Sequence, residues 1–387
     1  MSAAPVRTAV SRCAPRAASH SHRGERAGVA RGQRIVNTSI VTEFDLQSTG
    51  LTPALAVVEL GPSPAERGAG QQARAPATLV VGLDRAGRQP ELDASRFDLL
   101  LTMSTPARRP WIGIEEGHVE AELEALASTL RRHGPAAAVL AQLLRAGASL
   151  GLDDALALES FAFSMLLAGP QFAGWLRTRP APKGTSPPAA GPRVRCTREG
   201  DALTIHLANP ARRNAFDAAM RDALVEALAT ALDDPTSVSV TLRADGPDFS
   251  AGGDLYEFGS AVDPVQSHFV RTLRSPARLL GHLSARATVH LHGACVGAGI
   301  EVPAAAGRLL AAPDTRFWLP ELQMGLIPGA GGTATLARRI GRHRLLYWAL
   351  RGLRLDATTA LSWGLIDSIE GADTPPRTAS QSAVSPS

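Results

Sequence analysis

The chain has 387 residues, enough to bury a substantial core and to form more than one unit; 44% are hydrophobic and only 4% aromatic. Its net charge of +4 is misplaced for nucleic-acid binding: residues 1–35 hold seven arginines against the single acid Glu25, so the rest of the chain sums to about −2. Three scattered cysteines (Cys13, Cys196 and Cys295) exclude a disulfide framework and suit a reducing compartment, and no apolar run approaches the ~20 residues that span a bilayer.

The Arg-, Ser- and Ala-rich start is composed like an organelle transit peptide. Arginine bias runs through the whole chain, however, where Lys183 is the only lysine. A cytoplasmic protein is the expectation, with organelle import the alternative. Residues 1–77 read as a disordered or poorly structured tail, in which 40–41 and 55–60 have the apolar character of short strands. Residues 78–83 and 97–102 are short apolar runs bounded by turn residues, the pattern of β-strands.

Helices follow. Leu123, Leu126, Ala127 and Leu130 share one face over 119–133. Pro135 starts a second helix through Val139, Leu140, Leu143 and Leu144 that stops at Gly147. A third, over 153–169, carries Leu156, Leu158, Phe161, Phe163 and Leu166. Residues 78–177 are thus expected to form a separate, mostly helical subdomain, followed by a proline-rich linker at 178–192.

From 193 to 370 strands and helices alternate. Strands are predicted at 203–207, 238–243 and 287–292, and helices at 217–232 and 265–283, the latter broken at Pro276. The pattern argues for an α/β domain with a parallel or mixed sheet, ahead of a disordered tail at 371–387.

Chemistry concentrates in three segments of that last domain. The first is Phe249-Ser250-Ala251-Gly252-Gly253-Asp254-Leu255. The second runs from His292 through Gly297-Ala298-Gly299-Ile300 to Glu301. The third is Pro320-Glu321-Leu322-Gln323-Met324-Gly325-Leu326-Ile327-Pro328-Gly329-Ala330-Gly331-Gly332-Thr333. Paired carboxylates can do acid and base work on one substrate, and glycine-rich turns bring backbone N–H groups close to a developing oxyanion. His290 and His292 alternate on one strand with no further ligand nearby, so no metal is expected. Arg271, Arg274 and Arg278 follow helical spacing and read as a solvated face, with contact to phosphates the alternative.

In order and spacing these three segments resemble the enoyl-CoA hydratase/isomerase (crotonase) superfamily. The resemblance implies a crotonase-like core of repeated ββα units over 193–370. It implies an acyl-CoA thioester as substrate, with coenzyme A part of the substrate and no separate cofactor. The amides of Ala251 and Ala298 would polarise the thioester carbonyl, Glu301 would activate water, and Glu321 would deliver a proton to the α-carbon. The backbone at Gly329 would help to orient Glu321 and the water. Asn209-Pro210-Ala211-Arg212-Arg213-Asn214-Ala215-Phe216 is similar to the family's adenine-binding segment, so Arg213, Asn214 and Ala215, with Ser250 and Asp254, are the expected coenzyme A contacts; Asp254 also suits a turn and cap.

Family members finish with helices that cover the site and build a trimer. Here those helices resemble 119–180, placed ahead of the core. A homo-trimer or hexamer without nucleic acid or membrane span is therefore expected, acting as an enoyl-CoA hydratase. The alternatives are an isomerase, a cofactor-independent arylacetyl-CoA oxygenase, or a non-catalytic assembly partner.

Overall fold

Among the described residues a five-stranded, a six-stranded and a three-stranded sheet pack with the helices around one shared hydrophobic cluster. The computed structural model describes residues 33–36 (backbone), 54–61, 77–179, 191–260 and 263–371. The expected strand at 40–41, most of the linker at 178–192, and the tail beyond 371 lie outside these residues.

The first sheet comprises β1 (Gln33–Val36), β2 (Ala54–Glu59), β3 (Thr78–Asp84), β4 (Leu99–Thr102) and β5 (Ile112–Gly113), in that order. β1 runs antiparallel to β2, and the others are parallel. Leu55, Leu79, Leu99 and Leu101 are fully buried, the apolar character of strands covered on both faces. The structured part thus starts before residue 77, and the expected boundary there does not separate tail from fold: β2 pairs with β3 and buries its apolar residues against it.

α1 (Val119–Ala146) covers this sheet and joins the two predicted helices through a kink at His133, just ahead of Pro135. α2 (Leu152–Leu167) and α3 (Pro170–Thr178) follow. These helices do not form a separate subdomain. One hydrophobic cluster runs from Leu55 and Leu79 through Leu126, Leu156 and Phe163 to Ile300, Leu336 and Ile366. Arginines fasten the seam: Arg342 donates to the carbonyls of Ala94 and Phe97, and Arg344 to that of Ala107. Phe161, expected on the inward face of its helix, is 60% exposed, because Leu156, Glu159, Ser160 and Phe163 take that face.

The second sheet starts with the antiparallel pair β6 (Val194–Glu199) and β7 (Ala202–Leu207). α4 (Ala218–Asp233), capped by Asp217, leads to the parallel strand β8 (Ser239–Ala244). α5 (Pro264–Leu273) and α6 (Pro276–His282), broken just before Pro276, lead to β9 (Ala287–Leu291). β10 (Ala294–Val296) then turns away into α7 (Ala298–Glu301). β11 (Arg308–Ala311) returns to the large sheet, and β12 (Arg316–Trp318) pairs with β10. α8 (Gly332–Ile340), α9 (Arg342–Arg351), β13 (Leu355–Asp356), α10 (Ala357–Trp363) and β14 (Ser368–Ile369) complete the chain as described. The six-stranded order is β14-β11-β9-β8-β7-β6, parallel except at β6, beside a three-stranded sheet β10-β12-β13. The alternation of strand and crossover helix gives the α/β class that the sequence implies.

Candidate active site

Two parallel bridges place the first glycine segment. Ser250 pairs with Cys295 on β10, and Phe216 pairs with Gly253. The 249–254 loop is therefore held between the 209–216 turn and the strand that feeds α7. Asn214 makes this rigid from a fully buried position: its Oδ1 accepts from the Asn209 amide at 2.8 Å, and its Nδ2 donates to the carbonyls of Asp245 and Asp248 at 2.8 and 3.0 Å. Ser250 Oγ donates to the Asn214 carbonyl at 2.8 Å and accepts from the Gly252 amide at 3.1 Å.

The backbone hydrogen bonds of this loop replace one expected residue with another. The Ala251 amide donates to the Arg213 carbonyl at 2.9 Å, so it is not free to polarise a substrate. The bridge to Phe216 uses the Gly252 carbonyl and the Asp254 amide, and leaves the Gly253 N–H with no acceptor among the described residues. Gly253 lines the cavity described below, and Ala251 does not. Ala298, the first residue of α7, likewise lines the cavity with no acceptor for its N–H among the described residues. The amides of Gly253 and Ala298 thus line the cavity without a protein acceptor among the described residues.

The cavity holds about 280 Å³. Apolar walls come from Leu156 and Phe163 on α2, from Phe216, and from Phe258. Glu301 and Glu321 enter it from the other side, both buried. Glu301 Oε2 accepts from the amides of Ala330 and Gly332 at 2.8 and 3.0 Å. Glu321 lies in the tight turn Glu321–Met324 after β12, and its Oε2 has no hydrogen-bond partner among the described residues. Burial first, then the neighbouring charges of Glu321 and Glu159, pushes the Glu301 carboxyl well above the usual carboxylate range. Burial, with Glu159 adding to it, pushes Glu321 up to about 8. Such a pair holds a proton near neutral pH, as acid–base work requires.

Gly329 also lines the cavity, and a Cβ there would meet the Phe163 ring at 2.2 Å. The donors to Glu301 are the amides at 330 and 332, however, so no hydrogen bond ties Gly329 itself to either glutamate.

Of the expected coenzyme A contacts, Arg213 is paired with Asp248 at 2.6 Å, and Ala215 donates its amide to the Arg212 carbonyl. Asp254 lines the cavity, pairs with Arg212 at 2.7 Å and accepts from the Tyr256 amide, so it is a turn-stabilising acid. The side chains at 213, 214, 250 and 254 are engaged within the protein.

The arginine helix is not a solvated face throughout. Arg271 is largely buried, lies over the Phe163 ring at 4.9 Å and donates to Ser160 Oγ and Ser164 Oγ. Burial lowers its pKa to about 10. His290 bonds to Glu370 and Arg243, and His292 to the Gly246 carbonyl, away from the cavity.

Sequence reasoning missed Glu159. It projects into the same cavity from α2, is 2% exposed, and binds the turn ahead of α8. The signal was available: an acid sits between Leu156 and Phe163 in the apolar stripe of a helix, where a charge is costly unless it is held.

Residues 197–383 match the model of the enoyl-CoA hydratase/isomerase family. The chain is 35% identical over 176 residues to cyclohexa-1,5-dienecarbonyl-CoA hydratase of Thauera aromatica, spanning 44% of this chain and 64% of that protein. It is 34% identical over 138 residues to the enoyl-CoA isomerase/hydratase fer4 of Mycosarcoma maydis, spanning 35% of this chain and 50% of that one. The chain thus spans between half and two thirds of the length of these relatives. An enoyl-CoA hydratase crystal structure from Thermoplasma volcanium aligns over 46% of this chain and 72% of its own, with 28% identity and a TM-score of 0.43.

Proposed function

The chain belongs to the enoyl-CoA hydratase/isomerase (crotonase) superfamily, and on that premise we propose that it adds water across the double bond of a 2-enoyl-CoA thioester. The observation that carries the reading is the pair of buried carboxylates, Glu301 and Glu321, facing one apolar cavity with the amides of Gly253 and Ala298. The thioester carbonyl accepts from those two N–H groups, which stabilise the enolate that forms as water adds. Glu301, held by two backbone donors, takes the proton from the attacking water. Glu321, whose Oε2 has no protein partner, gives its proton to the α-carbon. The water oxygen bonds to C3, the C2–C3 double bond becomes single, and the proton taken by Glu301 returns to Glu321 through solvent or product. Coenzyme A enters as part of the substrate, with no separate cofactor in the reaction.

Isomerisation needs only one carboxylate to move a proton between two carbons, so two acids with free oxygens favour hydration. The oxygenase alternative drew on a separate helical domain, whereas residues 77–179 include β3–β5 and share the core of the second half. A homo-trimer or hexamer goes with the reading, and the exposed Phe161, Met165, Val265, Phe269 and Leu273 on α2 and α5 support an assembled state.

The test is hydration of crotonyl-CoA and of longer and cyclic enoyl-CoAs, followed by loss of the conjugated chromophore and by mass gain of one water. Product of unchanged mass with a shifted double bond would replace hydratase with isomerase. Retention of acyl-CoA without turnover of any member of the panel would support a non-catalytic partner.

A further inference from the structure

Four consecutive N–H groups in one turn are divided between two carboxylates. Ala330 and Gly332 donate to Glu301 Oε2 at 2.8 and 3.0 Å. Gly331 donates to Glu159 Oε1 at 2.7 Å, and Thr333 donates to Glu159 Oε2 through its amide at 2.8 Å and its hydroxyl at 2.6 Å. Glu301 lies in α7, and Glu159 in α2, separated from the turn by more than half the described chain. The Gly331 carbonyl accepts from the Ala334 and Thr335 amides, and Thr335 Oγ1 donates to the Glu301 carbonyl at 2.7 Å, but among the described residues the N–H groups of 330–333 find their acceptors in these two carboxylates. Gly331 is at φ +114°, outside the range most residues adopt, and α8 starts with no side-chain cap. Glu159 therefore supplies the missing acceptors at the start of α8.

We propose that Glu159 is a positioning residue of the active site: it holds the 330–333 turn in the one geometry that presents the Ala330 and Gly332 amides to Glu301. This rests on the hydration reading for its effect on turnover, but its geometry does not depend on it. Three donors and the adjacent Arg271 guanidinium favour the ionised form of Glu159, against a burial that pushes its pKa up to about 7. An ionised carboxylate accepts at both oxygens, as the turn requires, and a neutral amide cannot. The N-terminal half is thereby part of the catalytic machinery, since the acceptor that orders the turn comes from α2.

Two measurements on the full chain test this. The first is hydrogen–deuterium exchange of the peptide covering 329–333 in wild type, Glu159→Gln and Thr333→Val. Glu159→Gln is expected to speed exchange at Ala330 and Gly332 as well as at Gly331 and Thr333, and Thr333→Val, which loses only the hydroxyl bond, to do so less. The second is kinetic. Misplacement by about 1 Å costs on the order of 10²-fold in rate, so Glu159→Gln should lower kcat by roughly ten- to a hundredfold and change KM by less than about threefold.

Faster exchange confined to Gly331 and Thr333, or spread over α2 while the turn stays protected, would overturn the proposal and leave Glu159 as a fold anchor. So would an unchanged kcat, or KM and kcat falling together. If wild type hydrates no enoyl-CoA, the hydration reading fails alone, and the exchange measurement still decides the role of Glu159.

Discussion

Gly297 leaves room for Glu321: a Cβ built on Gly297, which sits at φ +47°, would lie 2.4 Å from Glu321 Oε1 and 3.6 Å from Glu301 Oε1. The absent side chain is therefore part of the site, since both carboxylates crowd the space it would fill. Gly297→Ala should displace Glu321 and add backbone strain at a positive φ. Turnover is expected to fall at least about a hundredfold, with the protein still folded by circular dichroism. A fully active alanine variant would show that the reacting position of Glu321 lies elsewhere.

Glu321→Gln keeps the shape of the turn and removes the proton donor. General acid–base groups contribute on the order of 10²–10⁴ in rate, and the loss should fall on kcat with little change in acyl-CoA affinity. Glu301→Gln should lower kcat too, but it also alters the carboxyl oxygen that accepts from both the Ala330 and Gly332 amides. Its melting temperature should therefore change where that of Glu321→Gln at neutral pH changes less. Equal loss of binding and turnover in Glu321→Gln would argue for a structural role.

Ala298 opens α7, and the first position of a helix accepts proline, which has a suitable φ and lacks only the N–H that no helical partner uses. Ala298→Pro should thus remove one oxyanion donor while sparing the fold. The expected cost is about 10²–10³ in kcat, with Ala298→Gly near wild type because it keeps the donor. Retained activity in the proline variant would move the oxyanion site away from α7.

Much of the C-terminal half was legible in the sequence. Glu301 and Glu321 could be singled out because each adjoins a glycine turn, and the fold brings both into one cavity. The break at Pro276 and the kink before Pro135 follow from chemistry that proline imposes wherever it stands. Choosing between Ala251 and Gly253 was beyond a linear reading, because it depends on which amide the distant Arg213 carbonyl consumes. Glu159 and Arg271 were hidden for a related reason. Their burial results from α2 packing on α5 and α8, contacts across more than a hundred residues that no local period encodes. β1 and β2 owe their place in the fold to pairing with β3, which composition alone does not reveal.

Stability should carry the signature of the buried carboxylates. The folded-state pKa of Glu321 is raised from 4.5 to about 8, so the folded form binds the extra proton between those values. Its contribution is fully present below the unfolded pKa and is lost as pH rises through about 8. Glu301 is shifted in the same direction. A glutamine at 321 does not ionise, so the melting temperature of Glu321→Gln relative to wild type should climb from pH 5 to pH 9. Parallel melting curves across that range would mean that Glu321 titrates near its ordinary value.

The N-terminal half should prove inseparable from the C-terminal half. Leu156, Phe163, Leu166 and Phe172 are buried in the shared core. At about 1.5–3 kcal/mol for each fully buried side chain, the four supply on the order of 6–12 kcal/mol, as much as the whole stability of a typical domain. Residues 191–387 expressed alone should therefore be insoluble or molten, and inactive, because they also lose Glu159 and the Phe163 wall of the cavity. Co-expression with residues 33–179 as a second chain should restore solubility and activity together. The joining segment would then act by raising effective concentration, so the two-chain form should weaken on dilution while the intact chain does not. A soluble and fully active 191–387 fragment would instead make the first half an independent module, and the cavity would need another wall.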